Sequence, residues 1–382
     1  MSAAYIIDAV RTPRARRKGR FASVHPVDLL TYPLSEVVTR AQVDPQTVND
    51  VLVGCVTQVG EQSWCVGRAG VLAAGWPISV PATTINRLCG SGQQAVNFAA
   101  ATIASGQNQL VVAGGLEHMT RVPMFSDAGG EESPLLKHYH PDLVQQGLAC
   151  ELLAEQFNIS REDVDNYAYL SQVRAKKAIS DGRFKRSIVP VPYTNAEGNS
   201  AVLDHDDNPR SDTTYEGLLN LKPVFRENGI ITAGNASAIV DGAAAVLLAS
   251  EKAVMEHHLK PRARVVAQSV VGSDPRLMLT GPIEASKQVL AKAGLLPHQI
   301  DVWEVNEAFA PVPLLTAREV RFDQTKMNSN GGGIALGHPL GATGAMLIGM
   351  AIDELERTQK RYALVTMCIG LGMGIATVLE RT

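Results

Sequence analysis

The sequence has little net charge and no long apolar run. Its formal charge is −3 over 382 residues, from 35 basic and 38 acidic side chains. Nucleic-acid-binding proteins usually carry a concentrated basic face, so this balance gives no support for a nucleic-acid partner. No apolar stretch is long enough to span a bilayer, and the opening MSAAYIIDAVRT is typical of a short strand rather than a signal peptide. We therefore expect a cytoplasmic protein without a membrane span that acts on small molecules.

Cysteine is also scarce, and the five cysteines form no repeating pattern. Their number is odd, and no CxxC motif or Cys/His pair has the spacing of a zinc site. We therefore expect free thiols, no disulfide framework and no metal. The five are Cys55, Cys65, Cys89, Cys150 and Cys368.

One basic run departs from the even charge balance. It extends from Arg14 to Arg20 and contains five basic side chains. We interpret the run as a solvated loop, with attraction of an anionic substrate as the alternative.

Strand-length apolar segments alternate with longer Ala-rich segments of helical periodicity, which is typical of an α/β fold. The strand candidates in the first half are YIIDAV, DVLVGCV and LVVAGG. The second half repeats the order with RVVAQSVV, DVWEV and YALVTMCIG. The chain is therefore predicted to contain a duplicated α/β unit, in which two helices rich in small residues pack side by side.

A segment of different composition separates the two halves. It has acidic loops that contain Pro and Gly, and one helical stretch is predicted from Leu148 to Gly182, with Ser160 and Asp163 resembling a capping box. We predict an N-terminal half from 1–117 plus 239–260, an inserted lobe at 118–238 that covers the site, and a C-terminal half at 261–382.

Cys89 is the first candidate for a chemical role. It lies in RLCGSGQQAV, directly before a helix whose unpaired N–H groups and dipole favour a thiolate. The alternative is a small, buried, inert residue at a tight turn, because free cysteine is commonly buried.

Two further candidates lie in glycine-rich loops of the second half. His338 in GGGIALGHPLGATG could activate a thiol, and the duplicated register places it opposite the Cys89 loop. A purely structural histidine is the alternative. Cys368 in MCIGLGMG is predicted to end the final strand, so it displays a second thiol at the same end.

Asn306 in VNEAFA follows an apolar strand. Its amide could hold a water or an oxyanion, and Glu307 could orient its neighbours. A structural Asx turn is the competing interpretation.

These blocks together resemble the signature motifs of thiolases, and two further segments, GCVTQVGEQS and ARVVAQSVVGSDP, look like the degradative bacterial branch of that family. The motifs are CGSG around Cys89, NEAFA around Asn306, GGGIALGHPLGATG around His338 and CIGLGMG around Cys368. The resemblance extends over essentially the whole chain. It implies a five-layered α-β-α-β-α fold made of two βαβαβ-type halves, with an inserted loop domain that holds coenzyme A.

The resemblance also implies the chemistry of an acetyl-CoA C-acyltransferase acting on 3-oxoacyl-CoA. Cys89 would attack the 3-keto carbon, His338 would take up its proton, and Cys368 would protonate the departing acetyl-CoA carbanion. Asn306 would hold a water in one oxyanion hole, and the backbone N–H groups of Cys89 and Gly370 would form the other.

Several expectations about ligands and partners follow from the same resemblance. Arg210 and Ser237 match coenzyme A contacts, and coenzyme A would be a cosubstrate, so no cofactor is expected. A homodimer or homotetramer is expected, and a β-oxidation partner enzyme could bind. Biosynthetic thiolases carry His-Met-Gly where this chain has Gln145-Gln146-Gly147, which predicts a pocket different from that of the acetoacetyl type.

Four other functions compete with this hypothesis. A biosynthetic acetoacetyl-CoA thiolase and a non-catalytic coenzyme A-binding scaffold share the fold. A ketoacyl synthase would need a second histidine where the chain has Asn306 or Cys368. A Cys-His hydrolase would use water in place of coenzyme A.

Overall fold

The computed structural model describes residues 3–129 and 138–382, and a sheet of ten strands organises this part of the chain. A separate two-stranded sheet lies in the segment between the halves. The strands are β1 (Ala4–Arg11), β2 (Ala15–Arg16), β3 (Asp50–Gly54), β4 (Ala82–Ile85), β5 (Leu110–His118), β6 (Val191–Thr194), β7 (Ser200–Leu203), β8 (Val240–Ser250), β9 (Ala263–Gly272), β10 (Val302–Val305), β11 (Tyr362–Ile369) and β12 (Met373–Arg381).

The helices within the described residues cover both faces of this sheet and fill the segment between the halves. They are α1 (Pro26–Ala41), α2 (Val66–Ala73), α3 (Ser91–Ala104), α4 (Gln146–Gln156), α5 (Arg161–Ser180), α6 (Tyr215–Leu219), α7 (Glu251–Glu256), α8 (Gly281–Ala293), α9 (Pro311–Val320), α10 (Gly333–Leu336) and α11 (Leu340–Thr358).

Sheet topology confirms the predicted duplication. In the first half the strands lie in the order β1-β8-β5-β3-β4, and in the second half in the order β9-β12-β11-β10. A parallel bridge between Trp303 and Met327 occupies the place that β4 holds in the first half. In each half, the first two pairs of neighbouring strands in this order are antiparallel, and the remaining pairs are parallel. The halves join through a short antiparallel contact of β1 with β9.

The two small-residue helices α3 and α11 pack side by side between the halves, as predicted. Their glycines allow this approach, because a Cβ on Gly92 would lie 2.6 Å from the Gly341 oxygen. Helices α1 and α2 cover the outer face of the first half, and α8 covers that of the second. The layers therefore alternate α-β-α-β-α, as the resemblance implied.

The predicted single helix from Leu148 to Gly182 is two helices, α4 and α5. Asn158 adopts a left-handed backbone conformation (φ 52°), which ends the first helix. Ser160 then caps the second helix through the predicted capping box with Asp163. Residues 130–137 of the predicted inserted lobe lie outside the described part of the chain. The three domain boundaries remain predictions.

The basic run is not wholly a solvated loop, because Arg14 is buried. Only 1% of its surface is exposed, and its backbone N–H donates to Asp206 Oδ1 at 2.9 Å. Arg11 binds the same carboxylate through two hydrogen bonds of 2.6 and 2.8 Å. Asp206 belongs to the predicted inserted lobe, so these contacts attach that lobe to the first half.

Residues 3–129 and 138–382 contain no helix with the length and apolar character needed to cross a membrane. All five cysteines are free. Within the same residues, no group of three or more His, Cys, Asp and Glu side chains could hold a metal ion.

Candidate active site

The structure joins two pairs of the residues that the sequence singled out, Cys89 with Gly370 and Asn306 with His338. Cys89 immediately precedes α3, and His338 immediately precedes α11, the helix beside it. Asn306 follows β10, and Cys368 lies at the end of the adjacent parallel strand β11. Carboxyl ends of parallel strands meet at one edge of a sheet, which is where ligands of α/β proteins bind. The duplicated fold therefore concentrates four chain segments at one place.

The Cys89 loop is held in a tight, strained turn. Leu88 has a left-handed backbone (φ 45°), and the Ser91 hydroxyl donates to its carbonyl at 2.6 Å. A Cβ on Gly90 would lie 2.5 Å from the Ile369 side chain. A larger residue would have to displace the Ile369 side chain, so this glycine eases the approach of the loop to β11, which carries Cys368.

The Cys89 thiol is neutral at pH 7. Burial raises its pKa to about 11, against the lowering effect of hydrogen bonds from the backbone N–H groups of Gly370 and Cys89 and from the Gln146 side chain. The thiolate-favouring helix terminus predicted from the sequence is thus outweighed by desolvation. A nucleophile in this environment needs a base that removes its proton during attack.

His338 is buried and held in one tautomer. Its Nδ1 lies 2.6 Å from Thr343 Oγ1, and that hydroxyl donates its own proton to the Pro339 carbonyl at 2.9 Å. Thr343 must therefore accept the Nδ1 proton, which leaves Nε2 unprotonated and able to accept a hydrogen bond. Burial, and secondarily the Arg14 charge, lower the pKa of His338 to about 3, so the ring is a neutral base.

Asn306 approaches the basic nitrogen of His338. Its Nδ2 lies 3.3 Å from His338 Nε2, and its backbone N–H donates to the Thr366 carbonyl at 3.0 Å. Its buried Oδ1 has no hydrogen-bond partner among the described residues. An Asx turn would use that oxygen, so the Asx-turn interpretation is wrong.

Glu307 anchors the loop that carries Asn306. Its carboxylate accepts hydrogen bonds from Tyr167 at 2.9 Å and Ser171 at 2.7 Å, both on α5. It also accepts from the side chain of Asn328 at 3.0 Å and from the backbone of Ile334 at 3.1 Å. As the sequence suggested, Glu307 orients its neighbours, here by joining the Asn306 loop to α5 and to the glycine-rich loop before His338.

Cys368 is fully buried, and Cys89 lies close enough to influence its ionisation. Burial, with the charge of Cys89, raises the pKa of the Cys368 thiol well above its usual value. The turn after β11 presents the Gly370 N–H to the Cys89 sulfur. Both thiols are therefore protonated at rest, and each has a proton to give.

Of the two predicted coenzyme A contacts, Ser237 lies beside the Asn306 loop and Arg210 lies at the surface. Arg210 is exposed, and its backbone N–H donates to Gln172 at 3.1 Å. Ser237 is half-buried, and its backbone N–H donates to the Ala308 carbonyl at 2.9 Å, close to the Asn306 loop.

A cavity of about 200 Å³ opens beside Cys89. Its walls come from the Cys89 loop, the loop after β5, the start of α4 and the turn after β11. The lining residues are Val56, Thr57, Leu88, Cys89, Met124, Phe125, Asp127, Ala128, Leu143, Gln146, Met278, Leu340, Gly370 and Leu371.

Sequence reasoning missed the roles of Thr343 and Gln146. Thr343 follows His338 by five residues, across the first turn of α11. This spacing within GHPLGATG could have predicted the hydrogen bond between Thr343 and His338 Nδ1 that fixes the tautomer. The Gln146 contact with Cys89 joins distant segments and has no local signal.

Comparison with known proteins covers nearly the whole chain. The family models "Thiolase, N-terminal domain" and "Thiolase, C-terminal domain" match residues 4–252 and 259–381. A β-ketoadipyl-CoA thiolase of Acinetobacter baylyi is 45% identical, with 100% of each chain aligned. A steroid 3-ketoacyl-CoA thiolase of Mycobacterium tuberculosis is 43% identical over 100% of this chain and 95% of its own.

A solved structure shows the same fold. The acetyl-CoA acetyltransferase of Bacillus anthracis superposes with a TM-score of 0.94 at 36% identity, covering 100% of this chain and 99% of its own. Cys89, His338 and Cys368, which are all buried, lie within the matched residues. The chain is therefore a thiolase-family acyltransferase.

Proposed function

We propose that the protein cleaves 3-oxoacyl-CoA with coenzyme A, giving acetyl-CoA and a shortened acyl-CoA, through an acyl-Cys89 intermediate. The observation that supports this most is the hydrogen-bonded Cys89 thiol, which faces the Gly370 N–H and has a second thiol beside it. A hydrolase has no need of the second thiol, and a condensing enzyme of the ketoacyl synthase type needs a second histidine.

In the first step His338 Nε2 takes the Cys89 proton as the sulfur attacks the 3-keto carbon. The backbone N–H groups of Cys89 and Gly370 stabilise the resulting oxyanion, because they are fixed donors in a site from which water is largely excluded. The tautomer held by Thr343 keeps Nε2 available for this proton.

In the second step the bond between carbons 2 and 3 breaks. The acyl group stays on Cys89, and Cys368 gives its proton to carbon 2 of the acetyl-CoA enolate. A water held by Asn306, together with His338, stabilises the enolate oxygen. The unpartnered Asn306 Oδ1 supports this role, since a buried amide oxygen normally has a donor.

The third step returns every group to its starting state. The thiol of the incoming coenzyme A gives its proton to the Cys368 thiolate and attacks the acyl carbon. Cys89 leaves as a thiolate and recovers its proton from His338. Coenzyme A is thus a cosubstrate, and the scheme requires no prosthetic group.

We assign the coenzyme A contacts to Arg210 and Ser237. The exposed guanidinium of Arg210 suits a phosphate or the adenine ring, and Ser237 suits the pantetheine arm. Exchange of Arg210 for alanine should raise the KM for coenzyme A more than it lowers kcat.

The names of the relatives suggest two classes of acyl group, a dicarboxylic chain and a bulky apolar one. A fatty 3-oxoacyl-CoA belongs to the second class, because its acyl chain is also apolar. The name of the Bacillus anthracis structure keeps a biosynthetic acetoacetyl-CoA thiolase as the alternative. Gln146 on the cavity wall, where biosynthetic enzymes carry the Met of His-Met-Gly, argues against that alternative.

We further propose a homo-oligomer in the cytoplasm. Among the described strands, β4 lies at an edge of the large sheet, and nearby Phe98, Trp64 and Ile78 are 43%, 96% and 85% exposed. Apolar exposure beside a strand edge is typical of a subunit interface. Light scattering after size exclusion measures the subunit number, and the five free cysteines fit a reducing compartment.

Thiolysis of a panel of 3-oxoacyl-CoAs, from acetoacetyl to long-chain and ring-bearing forms, tests the proposal. Loss of the Mg-enolate absorbance reports cleavage, and Cys89→Ala is the control. Cleavage that the control abolishes supports thiolysis. No cleavage of any member by a folded protein that still binds coenzyme A would instead support the scaffold.

A further inference from the structure

The cavity beside Cys89 is lined mainly by large apolar side chains from separate parts of the chain. Met124 and Leu143 come from segments before α4, Met278 precedes α8, and Leu340 begins α11. Under the proposed function, on which this inference rests, the acyl chain of the substrate extends from Cys89 into this space. Its volume of about 200 Å³ is that of roughly six or seven liquid water molecules.

Four apolar residues of this cavity have left-handed backbone conformations. The φ angles are 45° at Leu88, 65° at Phe125, 56° at Met278 and 64° at Leu371. Side chains with a Cβ rarely adopt this conformation, and strain of this kind clusters at ligand-binding sites. The fold therefore holds these side chains around the cavity at an energetic cost, as is typical of a preformed ligand-binding site.

Two of these residues also remain exposed. Phe125 is 41% exposed and Leu371 is 42% exposed, on opposite segments of the cavity wall. Apolar surface in this position loses its contact with water when an apolar chain enters, and that burial favours binding.

Charge on the cavity wall points to the same class of ligand. Among the described residues that line it, Asp127 is the only one with a carboxylate, and none is Lys, Arg or His. A carboxylate at the far end of an acyl chain would leave water for an apolar wall without a cation to pair with it. It would also meet the like charge of Asp127, which is exposed, so water weakens this repulsion without removing it.

We propose that this cavity selects uncharged, apolar 3-oxoacyl groups and discriminates against chains that end in a carboxylate, with Asp127 as a specificity-determining residue. The other wall residues supply contact for a neutral chain of any shape that fits. Asp127 supplies the repulsion that separates a neutral chain from a dicarboxylic one, so specificity has an attractive and a repulsive part.

The test compares two substrates that differ in one charge. The CoA thioester of 3-oxoadipic acid carries a terminal carboxylate at neutral pH, and its terminal methyl ester does not. We expect kcat/KM to be at least about tenfold higher for the ester, because the carboxylate of the free acid would be unpaired in the cavity and repelled by Asp127. Asp127→Asn should reduce this ratio by about threefold or more, and Asp127→Lys should bring it close to one.

The control variant is Glu256→Gln, which removes an exposed carboxylate from α7 and should leave the ratio unchanged. Calorimetric binding of both compounds to Cys89→Ala gives the same ratio without turnover. Absence of thiolysis would refute the proposed function, while the binding ratio would still decide the selectivity. Equal or better use of the free acid, or a ratio that Asp127 variants do not move, would overturn the proposal.

Discussion

Thr343→Val should remove the group that fixes the protonation of His338. In the native site the Nδ1–H donates to the Thr343 hydroxyl at 2.6 Å, and the residue is buried. Valine has a similar shape but no acceptor, so the Nδ1–H loses its partner. The tautomer with its proton on Nε2 then becomes more stable, because a rotated Asn306 amide could accept a hydrogen bond from Nε2–H through Oδ1. That tautomer has no base directed at the substrate.

An unsatisfied buried donor costs about 1–3 kcal/mol, so the predicted fall in kcat is roughly 5- to 150-fold. Thr343 does not line the cavity, so KM for the 3-oxoacyl-CoA should change by less than about threefold. Steady-state thiolysis measures both constants, and circular dichroism checks the fold. Thr343→Ser keeps the hydroxyl and should restore most of kcat. A valine variant with kcat within twofold of the wild type, or a serine variant as impaired as valine, would refute the tautomer argument.

Three other outcomes can be measured on the same preparation. Asp206→Asn should lower the free energy of unfolding by about 3–5 kcal/mol, because it leaves the buried Arg11 guanidinium unpaired; urea unfolding close to that of the wild type would contradict this. Gly90→Ala should reduce kcat by about threefold, because the new Cβ would lie 2.5 Å from Ile369 Cδ1 and either that side chain or the Cys89 loop must shift; unchanged kcat would count against that geometry. Burial lowers the pKa of His338 to about 3, below its unfolded value near 6.5, so the unfolded chain binds the proton first as pH falls. The wild type should therefore lose about 2 kcal/mol more than His338→Gln between pH 7.5 and 5, and equal losses in urea unfolding would show that the ring is not neutral in the fold.

The duplicated architecture and the members of the site could be predicted from the sequence because both depend on local patterns. Apolar strands followed by glycine turns and small-residue helices occur twice, and each candidate residue lies at the end of such a unit. Cys89 and His338 each precede one of the helices α3 and α11, which pack together, and the small residues of these helices already indicated that contact.

Features that depend on contacts between distant segments could not be predicted. The Gln146 contact with Cys89 and the burial of Arg14 against Asp206 join segments with no shared pattern. The break at Asn158 depends on a left-handed residue within an otherwise helical sequence, which periodicity does not detect. The balance between desolvation and hydrogen bonding at Cys89 requires the surroundings in three dimensions.

The central claim is that Cys89 carries the acyl group between the two half-reactions. The protein should be mixed with one equivalent of a 3-oxoacyl-CoA in the absence of free coenzyme A, acid-quenched, digested and analysed by peptide mass spectrometry. The account predicts the acyl group on the peptide that contains Cys89, release of an equal amount of acetyl-CoA, and no adduct in Cys89→Ala. An active enzyme that forms no adduct on Cys89, or forms one on another residue, would contradict it.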